Sequence, residues 1–224
     1  MHNAVIEPDA PGWVDKGVQS VLLTGRDLPV RLYYRVDDAE DSRRHAAGIR
    51  SITDLAILDA LLTLPEGLDV PMTSLAGREQ RILSRLPPVG VLTQHEGRIT
   101  RIARAPLQVV RAEVAVSRSW LAAFRRVREF SQYAERVLLS ASPLDADALL
   151  EASYSGVGVA VGSDSGWDWQ LEPAKFVVQE HSAARWSFAE SIYELHLSRS
   201  QPRPATGKSA TPAVLPTDGA PQVP

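Results

Sequence analysis

LQVVRAEVAVSRSWLAAFRRVREFSQYAERVLLSASP, residues Leu107–Pro143, is the stretch whose reading decides the fold. It opens on a valine-rich run, Leu107 to Val116, apolar on both faces except at Arg111 and Glu113, which is the pattern of an interior strand. Ser117 or Ser119 then caps a helix whose apolar face is Trp120, Ala123, Phe124, Val127 and Phe130, spaced three and four residues apart. Arg118, Arg125, Arg126 and Arg128 fall mainly off that face. Arg136 to Ala141 (RVLLSA) reads as a second buried strand. A strand–helix–strand unit of this length implies a right-handed crossover and a parallel pair.

Downstream, Leu144 to Tyr154 is expected to be a helix with Asp145 or Asp147 near its start, followed by a strand at Gly156–Val161 (GVGVAV). Gly162–Gly166 turns the chain into an edge strand at Trp167–Leu171. A last helix over Ser182–Leu197 offers Trp186, Ala189, Ile192, Tyr193 and Leu197 for packing. From Ser198 the composition changes to six prolines in 27 residues with few large apolar groups, so residues 198–224 are expected to be a disordered tail.

Upstream, residues 1–17 form a lead-in broken by Pro8, Pro11 and Gly12. Strands are expected at Val18–Leu23 and Pro29–Val36, the second with Val30, Leu32 and Tyr34 alternating against Arg31, Tyr33 and Arg35 as if half exposed. Asp37–Asp41 (DDAED) reads as an acidic loop rich in helix N-cap residues rather than a metal cluster. Ile49, Ile52, Leu55, Leu58 and Leu62 predict a helix over Ile49–Leu64, ended by Pro65 and Gly67. Thr73 or Ser74 then caps a second helix running to Leu86 and burying Leu75, Ile82, Leu83 and Leu86. Its outer face carries Arg78, Arg81 and Arg85. Pro87-Pro88 stops it, and two alternating runs around His95-Glu96-Gly97 predict a hairpin.

The net charge of −3 conceals an uneven distribution. Residues 1–71 hold 12 acidic and 7 basic groups, residues 72–128 hold 3 and 11, and residues 129–224 hold 12 and 6. All 11 central cations are arginine, but the chain has 21 arginines to 3 lysines, so the clustering carries more weight than the residue type. A basic block between acidic flanks points to a surface that meets phosphates.

Several chemistries lack their groups. Without cysteine there are no disulfides, thiolate metal sites or thiol nucleophiles. His2, His45, His95, His181 and His196 are scattered, with no zinc-binding spacing. Ser153-Tyr154-Ser155-Gly156 is not a nucleophile elbow, and Gly207-Lys208-Ser209 lacks the strand and first glycine of a phosphate loop. In GVGVAVGSD the glycines lie within a strand instead of between strand and helix, which argues against a dinucleotide site. No cofactor or metal is expected. Tyr33, Tyr34, Trp167 and Trp169 could stack on bases, but packing is the commoner use of such residues. With no signal-like start and no apolar run of membrane-spanning length, a soluble cytoplasmic protein is expected.

The order helix, short connection, basic helix and hairpin over Ile49–Ala105 resembles a winged helix-turn-helix, although LPEGLDVPM leaves room for only one short turn as its middle helix. The central unit resembles the restriction-endonuclease-like, or PD-(D/E)XK, fold. The matching positions are Arg111-Ala112-Glu113, Trp120 and Ala123, Ala134-Glu135, and Gly156-Val157-Gly158-Val159. The expected fold is therefore mixed α/β, a winged-helix-like part packed on a small nuclease-like α/β sheet. Its segments are residues 1–48 (strands and acidic loop), 49–105 (winged-helix-like), 106–197 (nuclease-like) and 198–224 (tail).

That resemblance implies a degenerate site. The Glu-x-Lys motif puts its glutamate at Glu113 and its lysine at Ala115, which has no ammonium. The position of the family's aspartate falls near Arg101, and no aspartate occurs between Asp69 and Asp145. Glu113 is the sole weak catalytic candidate. The expectation is a non-catalytic nucleic-acid-binding or regulatory protein with double-stranded DNA as partner. Arg78, Arg81 and Arg85 would approach phosphates from the second helix, Arg98, Arg101 and Arg104 would line the wing, and Arg125 and Arg126 would add to the basic face. The alternatives are a protein-interaction subunit, with a protein partner or a second copy of the chain, and a divergent metal-dependent nuclease.

Overall fold

A computed structural model describes residues 17–24, 28–85, 89–164, 166–177 and 181–200. The fold is mixed α/β. Among the described residues there are six α-helices, a six-stranded mixed sheet and a separate three-stranded sheet.

The larger sheet is centred on Leu107–Ala115 (β6), as the apolar run predicts. It has the order β1-β2-β6-β7-β8-β9, with β1 Gln19–Leu23, β2 Val30–Val36, β7 Glu135–Ser140, β8 Val157–Ser163 and β9 Gly166–Leu171. The β6/β7 and β7/β8 pairs are parallel, and the other three are antiparallel. The two crossovers are the helices α4 (Trp120–Arg128), capped by Ser119, and α5 (Ala146–Tyr154), capped by Asp145. Phe124, Val127, Phe130 and Ala152 from this helical layer pack with Leu32, Ala112, Val114, Leu138 and Val159 on one face of the sheet. The final helix, α6 (Ala183–Ser200), adds Ala189, Ile192 and Tyr193 to the same core. The other face is covered at Val137, Leu139 and Ala160 by Trp167 and Trp169 of β9, so these tryptophans are packing residues.

Tyr33, expected to be half exposed, is buried like Tyr34; adjacent side chains of a strand point to opposite faces, and both faces of the sheet are covered here. Gly158 is needed for a different reason from phosphate binding. A Cβ there would lie 2.7 Å from Pro173, whose segment crosses directly over the strand.

Several expectations at the N-terminal side are corrected. Asp37–Asp41 is not a loop: Asp37 is the N-cap of helix α1, Asp38–Ala47, and its side chain accepts from the Glu40 N–H at 3.0 Å. Asp38, Glu40 and Asp41 complement the positive end of the helix, and Arg44 and His45 its negative end. Gly48, at φ 65, closes it in the left-handed conformation. The helix expected over Ile49–Leu64 is only α2, Leu55–Leu62, because Asp54, itself extended, caps it. The second basic helix is split into a 3-10 turn, Met72–Ser74, and α3, Gly77–Arg85. Leu86 and the Pro87-Pro88 stop lie outside the described residues.

The three-stranded sheet has the order β3-β5-β4, from β3 (Asp69–Pro71), β4 (Leu92–His95) and β5 (Arg98–Arg101). The predicted hairpin is present, its two-residue turn formed by Glu96 at φ 49 and Gly97 at φ 74. The three-residue strand β3 has no counterpart in the sequence pattern. Ile52, Leu58, Leu61, Leu64, Leu83, Val91 and Ile99 form a second core, which Trp186 of α6 enters. Because α6 contributes to both cores, it ties the two sheets together. The strands of the expected 1–48 segment belong to the larger sheet. Residues 198–200, assigned to the tail, complete α6, and the lead-in up to residue 16 and residues 201–224 lie outside the described residues. No helix among the described residues is long and apolar enough to cross a membrane.

Candidate nucleic-acid interface

Helix α3 is strongly amphipathic. Leu83 is fully buried and Ile82 packs beside it, whereas Arg78, Arg81 and Arg85 are exposed. Their spacing of three and four residues aligns them in one stripe. Glu79 in the first turn and Arg85 in the last agree with the helix dipole, and the Gln80 amide donates to the Leu75 carbonyl at 2.8 Å. Arg78 stands 3.5 Å from Asp59, with both side chains more than half exposed, so the pairing is weak. Arg81 and Arg85 have no ion-pair partner among the described residues. These two cations are the most available on the helix.

The hairpin arginines are arranged differently. Arg98 on β5 is ion-paired with Asp69 of β3 and donates to the Asp69 carbonyl at 2.8 Å. Arg101 closes β5 and turns towards a cleft, its guanidinium 5.6 Å from the Trp186 ring centroid. Burial lowers the pKa of Arg101, and nearby Glu66 acts in the opposite direction. Arg104 lies beyond the hairpin and pairs with Asp37 at 2.9 Å and Glu66 at 3.5 Å. Arg125 and Arg126 sit on α4, in the other module. Arg125 is exposed, while Arg126 pairs with Glu129 and donates to the Leu28 carbonyl at 3.3 Å. The fold thus gathers Arg78, Arg81 and Arg85 on one face and distributes the other five elsewhere.

Glu113 is 1% exposed in the middle of β6, opposite Arg31 in the β2 register. It faces Tyr33, whose phenol is pushed upward by burial and by the Glu113 charge. Neighbouring Arg111 pairs with Glu135 at 3.1 Å and lies over Trp169. Among the described residues no group of three His, Asp or Glu side chains is placed to hold a metal ion. Glu113 therefore sits in a tyrosine–arginine cluster.

The most highly charged buried site was missed from the sequence. Arg44, with no exposed surface, is held by Glu40 at 2.7 Å and by Glu190 at 2.7 and 2.8 Å, and also donates to the carbonyls of Arg50 and Arg104. Glu190 further accepts from the Ile52 N–H at 2.9 Å and the Trp186 indole at 2.8 Å. Burial opposes the Arg44 charge, but the two carboxylates outweigh it and raise its pKa. The available signals were Glu40 four residues before Arg44 and a glutamate at position 190 amid the apolar face of α6.

Comparison with protein-family models, with curated proteins and with solved structures finds no match for this chain.

Proposed function

We propose that this protein is a non-catalytic, cytoplasmic nucleic-acid-binding protein that meets the phosphate backbone of double-stranded DNA with the outer face of α3. The observation that carries this reading is the exposed Arg78–Arg81–Arg85 stripe opposite buried Leu83, on a helix followed directly in the chain by a two-stranded hairpin. The succession α2, β3, 3-10 turn, α3, β4, β5 and the strand order β3-β5-β4 support a winged-helix-like role for this module. The 3-10 turn Met72–Ser74 occupies the place of a short middle helix.

Contacts of this kind position a protein on a duplex without reading its sequence. The larger sheet serves as a scaffold, in keeping with a degenerate restriction-endonuclease-like domain whose Glu113 is absorbed in a buried cluster. A fluorescence-anisotropy titration of labelled duplex DNA at several salt concentrations tests the reading. Affinity that falls steeply with salt, and that weakens in Arg81→Ala and Arg85→Ala, is the expected result. Absence of binding at low salt, or salt-independent binding, would refute it.

A further inference from the structure

A cleft of about 760 Å³ opens at the seam between the two modules. One wall comes from the small module, at Leu62–Glu66 and Arg101–Ala105. The second comes from the ends of β2 and β6, and the third from the first two turns of α6. The volume is in the range of pockets that enclose small organic molecules.

The charge of this cleft is unbalanced. Four arginines line it, Arg35, Arg101, Arg104 and Arg185, against two carboxylates, Asp37 and Glu66. Arg104 already engages both carboxylates. Arg101 and Arg185 have no carboxylate within ion-pair distance among the described residues, and each guanidinium instead lies near an aromatic ring. Arg101 is 5.6 Å from Trp186 and Arg185 is 4.8 Å from Phe176. Both are partly desolvated, and burial lowers the pKa of each. A cation partly removed from water without a carboxylate in direct contact is a costly arrangement that an incoming anion relieves.

The positive end of α6 also opens here. His181 and Ser182 line the cleft, and Ser182 accepts from the Arg185 N–H through its side chain and from the Trp186 N–H through its carbonyl. The dipole of this 18-residue helix adds to the positive potential. The rest of the lining is mainly apolar, including Leu62, Leu107, Val109 and Phe188, with Gln108 as a polar member. Phe188 is braced by Tyr133 at 4.4 Å between ring centroids.

We propose that the cleft binds a small organic anion, its acidic group held by Arg101 and Arg185 and its apolar body lying against Leu62, Leu107 and Phe188. Arg101 belongs to the small module and Arg185 to α6, so a bound anion joins the two. This site is independent of the DNA-binding reading, because its occupancy is measured without nucleic acid.

The probe is 8-anilinonaphthalene-1-sulfonate, an aromatic body bearing one anionic group, titrated by fluorescence into the full-length protein. Its uncharged counterpart, N-phenyl-1-naphthylamine, is the control for apolar binding alone. One saturable site is expected, with affinity reduced at least tenfold in Arg185→Gln and in Arg101→Gln and unchanged in Arg81→Gln. Arg101→Lys, which keeps the charge, recovers part of the affinity. Displacement by benzoate assigns a carboxylate head group, and displacement by phenyl phosphate alone assigns a phosphate. No saturable site, equal affinity for the uncharged analogue, or unchanged affinity in Arg185→Gln would overturn the proposal. Arg185 is half-buried and is a member of neither hydrophobic core, so its replacement leaves both intact.

Discussion

Arg44 and Glu190, 146 residues apart in the chain, meet in a two-pronged ion pair at 2.7 and 2.8 Å with both side chains withdrawn from solvent. The pair fastens α1 to α6 and, through the carbonyls of Arg50 and Arg104 and the Ile52 N–H, fixes the segments that enter and leave the small module. A buried pair of this kind sets a geometry more than it adds net stability, because desolvation offsets much of its attraction.

Removing one partner exposes that cost. Glu190→Leu leaves Arg44 with Glu40 alone and orphans the Trp186 indole and the Ile52 N–H. It is expected to lose about 3–5 kcal/mol of unfolding free energy in urea titrations. Arg50→Ala breaks the exposed pair with Glu194 on the same helix and is expected to cost under about 1 kcal/mol.

Acid stability should report Glu40. Burial raises its pKa, but Arg43 and Arg44 outweigh burial and hold the carboxyl below its ordinary value. As pH falls below about 4, the unfolded chain takes up the proton first. The stabilisation present above the unfolded pKa is then lost as pH falls through the lower folded value. Urea titrations between pH 3 and 7 should show this loss, and Glu40→Gln, less stable at neutrality, should show a shallower one.

Alkaline behaviour has the opposite sign. Burial raises the phenols of Tyr33 and Tyr193, followed by the charge of Glu113 for the first and a hydrogen bond to Asp41 for the second. Above pH of about 10 the unfolded chain releases these protons before the folded one, so stability falls as pH rises. Tyr33→Phe should flatten the decline in unfolding free energy between pH 9 and 11, read from urea titrations.

Gly158→Ala should destabilise the sheet. The added methyl would sit 2.7 Å from the Pro173 nitrogen, a backbone atom that moves only with its whole segment. A loss of about 1–3 kcal/mol, read as a lowered Tm, is expected from overpacking of this kind.

The salt dependence of DNA binding distinguishes the arginines. Arg81→Ala and Arg85→Ala should each reduce the slope of log affinity against log salt by about 0.9, as expected for one lost phosphate contact. Arg98→Ala should change it less, because Asp69 already neutralises that guanidinium.

The sequence alone determined most elements whose side chains repeat with a clear period, although Ile49 and Ile52, which continue the spacing of α2, lie outside that helix. Between Leu107 and Tyr154 the strands and helices fall within two residues of their expected limits, and Ser119 and Asp145 are the caps. Helix α1 escaped because DAEDSRRHAA has no apolar stripe. Its buried face is Glu40 and Arg44, a pattern that reads as solvent-exposed until a distant glutamate is placed opposite. The α3 stripe was visible from spacing alone, since neighbours on a helix are fixed by the chain itself.

The fate of the other cations was decided only by tertiary structure. Arg98, Arg101 and Arg104 form a regular series in sequence, yet Asp69 holds Arg98 on the small sheet, while Arg101 beside Trp186 and Arg104 beside Asp37 line the cleft. The cleft likewise unites Arg35, Arg101 and Arg185, which no local pattern connects. Periodicity records which side of an element faces the core, whereas the pairing of charges depends on which segments the fold brings within a few ångströms of one another.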